Sequence, residues 1–187
     1  MSLSSRDVVI AAPCGPIGPG DVGPTPTGKL LLSTLRDRIV LTVDSETNML
    51  DVRDMATGHL LAERRGQTGA TYLLGGHNVS MVELAVMALG HAGLKKQIVR
   101  APFWLAGLAA GPMAWWATRV LGRAPLFTPS AVRIARLGLR ADCSKAIREL
   151  GLPVRPLEES VGDAVDWFVR EGYVAPRARL LERAVAR

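Results

Sequence analysis

Residues 8–29, VVIAAPCGPIGPGDVGPTPTGK, hold the reading on which the fold turns. Val8-Val9-Ile10-Ala11-Ala12 is a short continuous apolar run, the pattern of a strand buried on both faces. It opens into a loop of glycines and prolines over residues 13–28. Buried strands of this kind sit mid-sheet in α/β proteins, and ligands bind outside their carboxyl ends. A chain that reaches such a strand within its first dozen residues begins unusually close to the middle of a sheet. Cys14, just past the strand, is therefore a pocket candidate, set against the plainer reading of a small buried residue.

Outward from this stretch, helices and short strands alternate. Leu30, Leu31 and Leu35 give Lys29–Arg38 a helical spacing. Ile39–Val43 reads as a strand, residues 44–47 as a turn and Met49–Val52 as a second short strand. Asp54 is placed as the N-cap of a helix running to about Arg65 and closed by Gly66. Thr71–Leu74 reads as a strand ending at Gly75-Gly76. Ser80 and Glu83 form a capping box. It opens a helix with Val82, Ala85, Val86 and Leu89 on one face, ended by Gly93. A strand at Gln97–Arg100 follows. Thr128-Pro129 reads as N-cap and first helical residue, opening a helix to about Leu137. Asp142 caps a short helix stopping at Gly151. Pro156, Glu158 and Glu159 open a last helix with Val161, Ala164, Val165 and Phe168 on one face, ended by Gly172. Residues 177–187 form a basic tail. The pattern is α/β, with few strands and a helical second half.

The 187 residues carry 23 Lys+Arg against 17 Asp+Glu, a net charge of +6, and 48% are apolar. That excludes a wholly disordered chain. The cations are mostly Arg and are spread along the chain, which hints at acidic ligands but gives no nucleic-acid stripe, and a basic solvated surface is the favoured reading. Two cysteines, Cys14 and Cys143, exclude a disulfide scaffold and lack zinc-site spacing, which points to a reducing cytoplasm. The start of the chain lacks the basic and apolar regions of a signal peptide. The uncharged stretch 101–118, APFWLAGLAAGPMAWWAT, reaches the lower edge of a membrane span, but Pro102, Gly107, Gly111 and Pro112 interrupt it. A buried or substrate-lining helical hairpin is the favoured reading, with peripheral membrane contact through Trp104, Trp115 and Trp116 beside it.

Two phosphate motifs fail on context. Gly18-Pro-Gly20-Asp-Val-Gly23 matches GxGxxG, but Pro24 and Pro26 follow where the motif needs a helix N-terminus immediately. The run from Gly23 to Lys29 resembles a P-loop, but Leu30 stands where a hydroxyl should meet Mg²⁺. His59, His77 and His91 are far apart, so no metal site is expected. Asp51 and Asp54 could pass for paired acids, and capping is taken to account for Asp54.

Taken together, the segments show a resemblance. Val8-Val9-Ile10 followed by Pro13 through Asp21 resembles the strand and GPGD loop of extended short-chain dehydrogenases/reductases. Asn48 through Ala56 (NMLDVRDMA), Tyr72-Leu-Leu-Gly-Gly76, the run from Asp142 to Gly151 and Glu158 through Phe168 are similar to later segments of that family, in order. The GPGDVGPTPTGK and DVRDMATGHLLAERRG runs look closest to hopanoid-associated sugar epimerases, then to dihydroflavonol-reductase-like members. The resemblance is to the C-terminal half only. The family's glycine-rich cofactor loop and its Tyr-x-x-x-Lys pair are absent from these 187 residues, and Tyr173-Val-Ala-Pro-Arg177 is no substitute.

The resemblance implies a partial Rossmann-type parallel sheet, holding the last strands only, with a mostly helical substrate-binding domain. Residues 1–28 would supply the last Rossmann strand and the GPGD loop. Residues 29–175 would supply the substrate-binding domain, with returning Rossmann elements near 48–76, and 176–187 the tail. It implies NAD or NADP as cofactor, with Pro13, Cys14 and Gly15 beside the nicotinamide. Gly18, Asp21 and Arg53 would face a nucleotide-sugar or similar acceptor, an Arg suiting a diphosphate. Without the proton-carrying pair no catalytic residue is assigned. Three readings stay open: part of an NAD(P)-dependent epimerase, dehydratase or reductase; a non-enzymatic ligand- or partner-binding module; and a membrane-peripheral protein. In each, sheet edges left open predict self-association or a partner bearing the other half.

Overall fold

The computed structural model describes residues 7–105, 107, 108, 111, 115, 119 and 129–174. Seven strands are seen among them: β1 (Ile10–Pro13), β2 (Gly15–Ile17), β3 (Ile39–Val43), β4 (Glu46–Asp51), β5 (Thr71–Leu74), β6 (His77–Ser80) and β7 (Gln97–Ala101). The helices are α1 (Pro26–Arg36), α2 (Val52–Arg65), α3 (Met81–Ala92), α4 (Pro129–Leu137), α5 (Ser144–Leu150) and α6 (Leu157–Arg170). The strands form three small sheets. β1 runs parallel to β5, β3 parallel to β7, and β4 lies between parallel β2 and antiparallel β6. The expected α/β class with short parallel pairings is what the chain forms.

Two apolar cores follow. One gathers Leu31, Leu35, Leu84, Ala88, Val161, Val165 and Phe168 where α1, α3 and α6 meet. The other gathers Tyr72, Leu74, Met55, Ala146 and Leu150 where α2 and α5 pack on β5. Strand alternation joins them: along β4, Met49 faces the first core and its neighbour Leu50 the second, as the two-residue period of a strand requires.

Several expectations are corrected. The opening run is not a fully buried strand: β1 starts at Ile10, and Val8 and Ile10 are each 52% exposed. Among the described residues β1 pairs with β5 alone, so one edge and part of one face meet solvent. α1 starts at Pro26 rather than Lys29, because the Thr25 side chain accepts from the Gly28 N–H and Pro26 takes the first-turn position where its missing N–H costs nothing. α2 is capped by Asp51, whose side chain accepts from the Arg53 N–H, so Asp54 is not the cap. The capping box of Ser80 and Glu83 and the left-handed Gly93 are present as expected. The buried face of α3, however, is Leu84, Ala85, Ala88, Leu89 and Ala92, with Val86 exposed, because this helix packs between α1 and α6. Asp142 accepts from the Ser144 N–H at 3.0 Å while Cys143 occupies the cap position of α5. The buried face of α6 is as expected. The Thr128 cap, Trp116, half of the 101–118 stretch and the 177–187 tail lie outside the described residues. No helix among the described residues is long and apolar enough to cross a membrane.

Candidate functional site

β1 and β2 are one extended run that changes partners at Cys14. Pro13 pairs with Leu74 of β5, the Cys14 N–H donates to the Leu74 carbonyl at 2.9 Å, and Gly15 then pairs with Met49 of β4. Gly15 sits against β4 so closely that a Cβ there would stand 2.8 Å from the Met49 sulfur. The candidate cofactor residues Pro13, Cys14 and Gly15 therefore lie at the carboxyl end of one strand, at the switch between two sheets, the place where open α/β folds bind ligands.

Past the switch, the chain walls a pocket of about 160 Å³. Its lining runs from Pro16 to Asp21, continues with the cap residue Thr25 and with Thr27, Gly28 and Leu31 on α1, and closes on Val52 and Phe168. Gly18 and Asp21 are both in that wall. Asp21 also has local work: both carboxylate oxygens accept the Thr25 N–H at 3.0 Å, and the Thr25 hydroxyl donates to Oδ2 at 3.0 Å. This ties the loop to the first turn of α1. Gly28 is buried there because a Cβ would collide with the Asp21 carboxylate and stand 3.1 Å from the Phe168 ring.

Arg53, the third expected acceptor-facing residue, is not among the residues that line the pocket, although its chain neighbour Val52 is. Its guanidinium donates to Asp51 through Nε at 2.8 Å and Nη2 at 2.7 Å, and Nη2 also reaches Asp163 at 2.6 Å. The side chain keeps 40% exposure. Asp51 is wholly buried. Burial pushes its carboxyl up, but the Arg53 hydrogen bonds outweigh that and hold it at about 2. The buried Ser160 hydroxyl has no hydrogen-bond partner among the described residues.

Sequence reasoning missed the partner of Asp54. The Arg155 N–H, Nε and Nη2 donate to its carboxylate at 2.9, 3.1 and 2.7 Å, and the same guanidinium stands 3.6 Å from Asp51 and 3.4 Å from Glu159. Burial opposes ionisation of Asp54, and the Arg155 hydrogen bonds reverse it, so its pKa is lowered. Asp51 and Asp54 are thus paired with arginines from two directions, which suits anchoring rather than proton transfer. Also missed was Asn48, fully buried, which accepts the Gly76 N–H at 2.9 Å and donates to Asn78 at 3.0 Å. Its one sequence signal is its place at the head of the NMLDVRDMA segment.

The histidines stay apart. His59 contacts the Met55 carbonyl, His77 the Arg155 carbonyl and His91 the Asp166 carboxylate. Among the described residues no group of three metal-ligating side chains comes together.

No family model matches the chain. It is 39% identical over 178 residues to a Synechocystis sp. protein named for dihydroflavonol 4-reductase, a match covering 90% of the chain and 50% of that protein. Among solved structures, a nucleoside-diphosphate-sugar epimerase from Pseudomonas aeruginosa superposes with a TM-score of 0.71 at 29% identity, covering 90% of the chain and 50% of its own. A UDP-glucuronic acid 4-epimerase from Bacillus cereus, solved with UDP-glucuronic acid and NAD, gives 0.61 at 15% identity over 88% and 46%, and shows the fold. The chain spans about half the length of the curated relatives it matches. The comparisons return the part of the resemblance drawn to dihydroflavonol-reductase-like and nucleotide-sugar epimerase proteins.

Proposed function

We propose that this chain, a portion of an extended short-chain dehydrogenase/reductase of the NAD-dependent epimerase/dehydratase type, forms the substrate-facing wall of a nicotinamide-dependent site. The observation that carries the reading is the continuity of the strand switch at Pro13-Cys14-Gly15 with the pocket lined by Gly18 and Asp21. Pro13, Cys14 and Gly15 border the nicotinamide of NAD or NADP. The wall from Gly18 to Asp21 holds the acceptor, a nucleotide-sugar or a smaller hydroxylated molecule. Arg53, anchored by Asp51, offers its exposed edge to a diphosphate. Residues 1–28 carry the strand and loop of the cofactor side, 29–175 the acceptor side. The bound cofactor supplies hydride transfer; these residues orient the acceptor and exclude water. The 187 residues contain no Tyr-x-x-x-Lys pair, so no proton-transfer step is assigned to them and the chain alone is inactive.

Titrating the full chain with UDP-glucose, NAD⁺ and NADP⁺ separately, while following thermal unfolding, tests this. A UDP-sugar at a hundred times its Kd adds about 2.7 kcal/mol of stability, and Asp21→Ala, which unties the loop wall, weakens that shift. A chain stabilised by none of the three ligands refutes the reading.

A second reading has its own support in β1. With β5 its one partner among the described residues, and with Val8 and Ile10 half exposed, β1 presents an edge suited to another strand. On this reading the chain binds a ligand or a partner without turnover, the partner being the complementary half of the fold or a second copy. The thermal titration separates them: a shift with NAD⁺ alone favours the first, while a stable monomer by light scattering counts against the open edge on either. A membrane-peripheral form of the second rests on the exposed Trp104, Leu108 and Trp115, and liposome flotation decides it.

A further inference from the structure

The chain has two cysteines, 14 and 143, and folding brings them to one point. The sulfur of Cys143 lies 2.6 Å, and that of Cys14 2.7 Å, from where a Cβ of Gly75 would stand. The two sulfurs are therefore no farther apart than those lengths together, and the thiols are within hydrogen-bonding reach of one another. The absent side chain of Gly75 makes the room: any larger residue would occupy the space the thiols share. The fourth wall is Asn48, whose Oδ1 stands 3.9 Å from the Cys143 sulfur. Cys143 is buried at the start of α5, whereas Cys14 is partly exposed at the strand switch.

We propose that Cys14 and Cys143 form an oxidation site, joined as a disulfide by a hydroperoxide, that locks the strand switch to the start of α5. A peroxide oxygen transfers to the more accessible Cys14 sulfur, giving a sulfenic acid and releasing the alcohol or water. The Cys143 sulfur then displaces hydroxide from that sulfenic acid, forming the S–S bond, and the thiol proton leaves with it as water. Two thiols and one peroxide become one disulfide, with both electrons taken up by the peroxide oxygen. Burial pushes the Cys143 thiol up to about 12 and raises that of Cys14, so both stay protonated at neutral pH and the reaction is slow. The consequence for ligand binding rests on the nicotinamide-wall reading, because Cys14 lies in that wall; formation of the bond does not.

The test uses the purified, reduced full chain without ligand, exposed to hydrogen peroxide. The expected result is loss of two hydrogens in intact mass, a non-reduced peptide joining residues 14 and 143, loss of labelling of both thiols by iodoacetamide added after unfolding in denaturant, and full recovery with dithiothreitol. In Cys143→Ser, dimedone traps a sulfenic acid on Cys14, and in Cys14→Ser the remaining thiol stays unmodified over the same exposure. Thiols that remain alkylatable, bonds only between molecules, or a Cys14 sulfenic acid that accumulates in the unsubstituted chain each overturn the proposal. Failure of NAD⁺ to bind leaves the cross-link result standing, and failure of the cross-link leaves the ligand titrations standing.

Discussion

Arg155→Met is the sharpest probe of how the fold holds its buried charge. The Arg155 guanidinium, 27% exposed, donates to Asp54, 4% exposed, at 3.1 and 2.7 Å and lies 3.6 Å from the wholly buried Asp51. Methionine keeps the stem and removes the charge, leaving Asp54 with one backbone donor, the N–H of residue 155. Removing one partner of a buried ion pair costs about 3–5 kcal/mol. A quarter of Arg155 meets solvent, which places this case near the lower end, about 3 kcal/mol. For a chain of this length about 2–4 °C is lost per kcal/mol, so Tm should fall by roughly 6–12 °C. Urea unfolding at neutral pH, read by far-ultraviolet circular dichroism, gives the free energy directly. Asp54→Asn completes a double-mutant cycle, with an expected coupling of about 2 kcal/mol. Arg155→Lys, which keeps charge but loses the planar fork, should recover part of the loss. A loss under about 0.5 kcal/mol for Arg155→Met, or a cycle in which the two changes simply add, would refute the reasoning.

Three further outcomes follow from the same structure. Asp51 titrates at about 2 in the folded chain against 3.8 for a free carboxyl. A lowered folded pKa stabilises above the unfolded value and is lost as pH falls through the folded one. About 2 kcal/mol should therefore vanish between pH about 4 and about 2, and Asp51→Asn should flatten that part of a urea-unfolding series. Gly28→Ala puts a methyl into the Asp21 carboxylate and against Phe168; it should cost about 1–3 kcal/mol and abolish stabilisation by any ligand of the pocket. The Lys96 ammonium donates to the carbonyls of Thr34, Leu35 and Asp37 at 3.0, 2.8 and 2.9 Å, closing the carboxyl end of α1. Lys96→Met should cost about 1–2 kcal/mol, read as early exchange of the amides in the last turn of α1.

What the sequence shows of this fold is what is local. Ile39–Val43 and Thr71–Leu74 are strands by their own side chains, and Ser80 with Glu83 closes a cap within one turn. Thr25-Pro26 is equally local, an N-cap followed by a first-turn proline, yet it stands inside a run of Gly and Pro that reads as loop. Asp51 and Asp54 are both good caps by type. The choice between them is made by Arg155, 101 residues away from Asp54, which needs Asp54 as a buried ligand and leaves Asp51 to hold the helix end. The exposure of Val86 and the burial of Leu84 on α3 depend on α1 and α6 arriving on two sides. In the candidate site, the Pro13–Asp21 wall is legible because a strand followed by glycines has few other uses. The meeting of Cys14 with Cys143 carries no local signal: it arises from the register of β1 on β5 and the absent side chain at Gly75.

The alternation of Met49 and Leu50 along β4 bears on how the chain comes apart. The α1–α3–α6 core and the α2–α5 core meet along β4, where Met49 and Leu50 face opposite sides, and β2 beside it also touches helices of both. Cooperativity between two halves of a molecule is only as strong as the interface that transmits it. Amides of β4, which pairs with β6 over Glu46–Met49 and with β2 over Met49–Asp51, should exchange only when both cores open, whereas those of β1 and β5 can open with the smaller core alone. A denaturation curve that separates into two steps would then report how strongly these two strands couple the cores, and a substitution at Met49 or Leu50, neighbours buried in different cores, should widen its spacing.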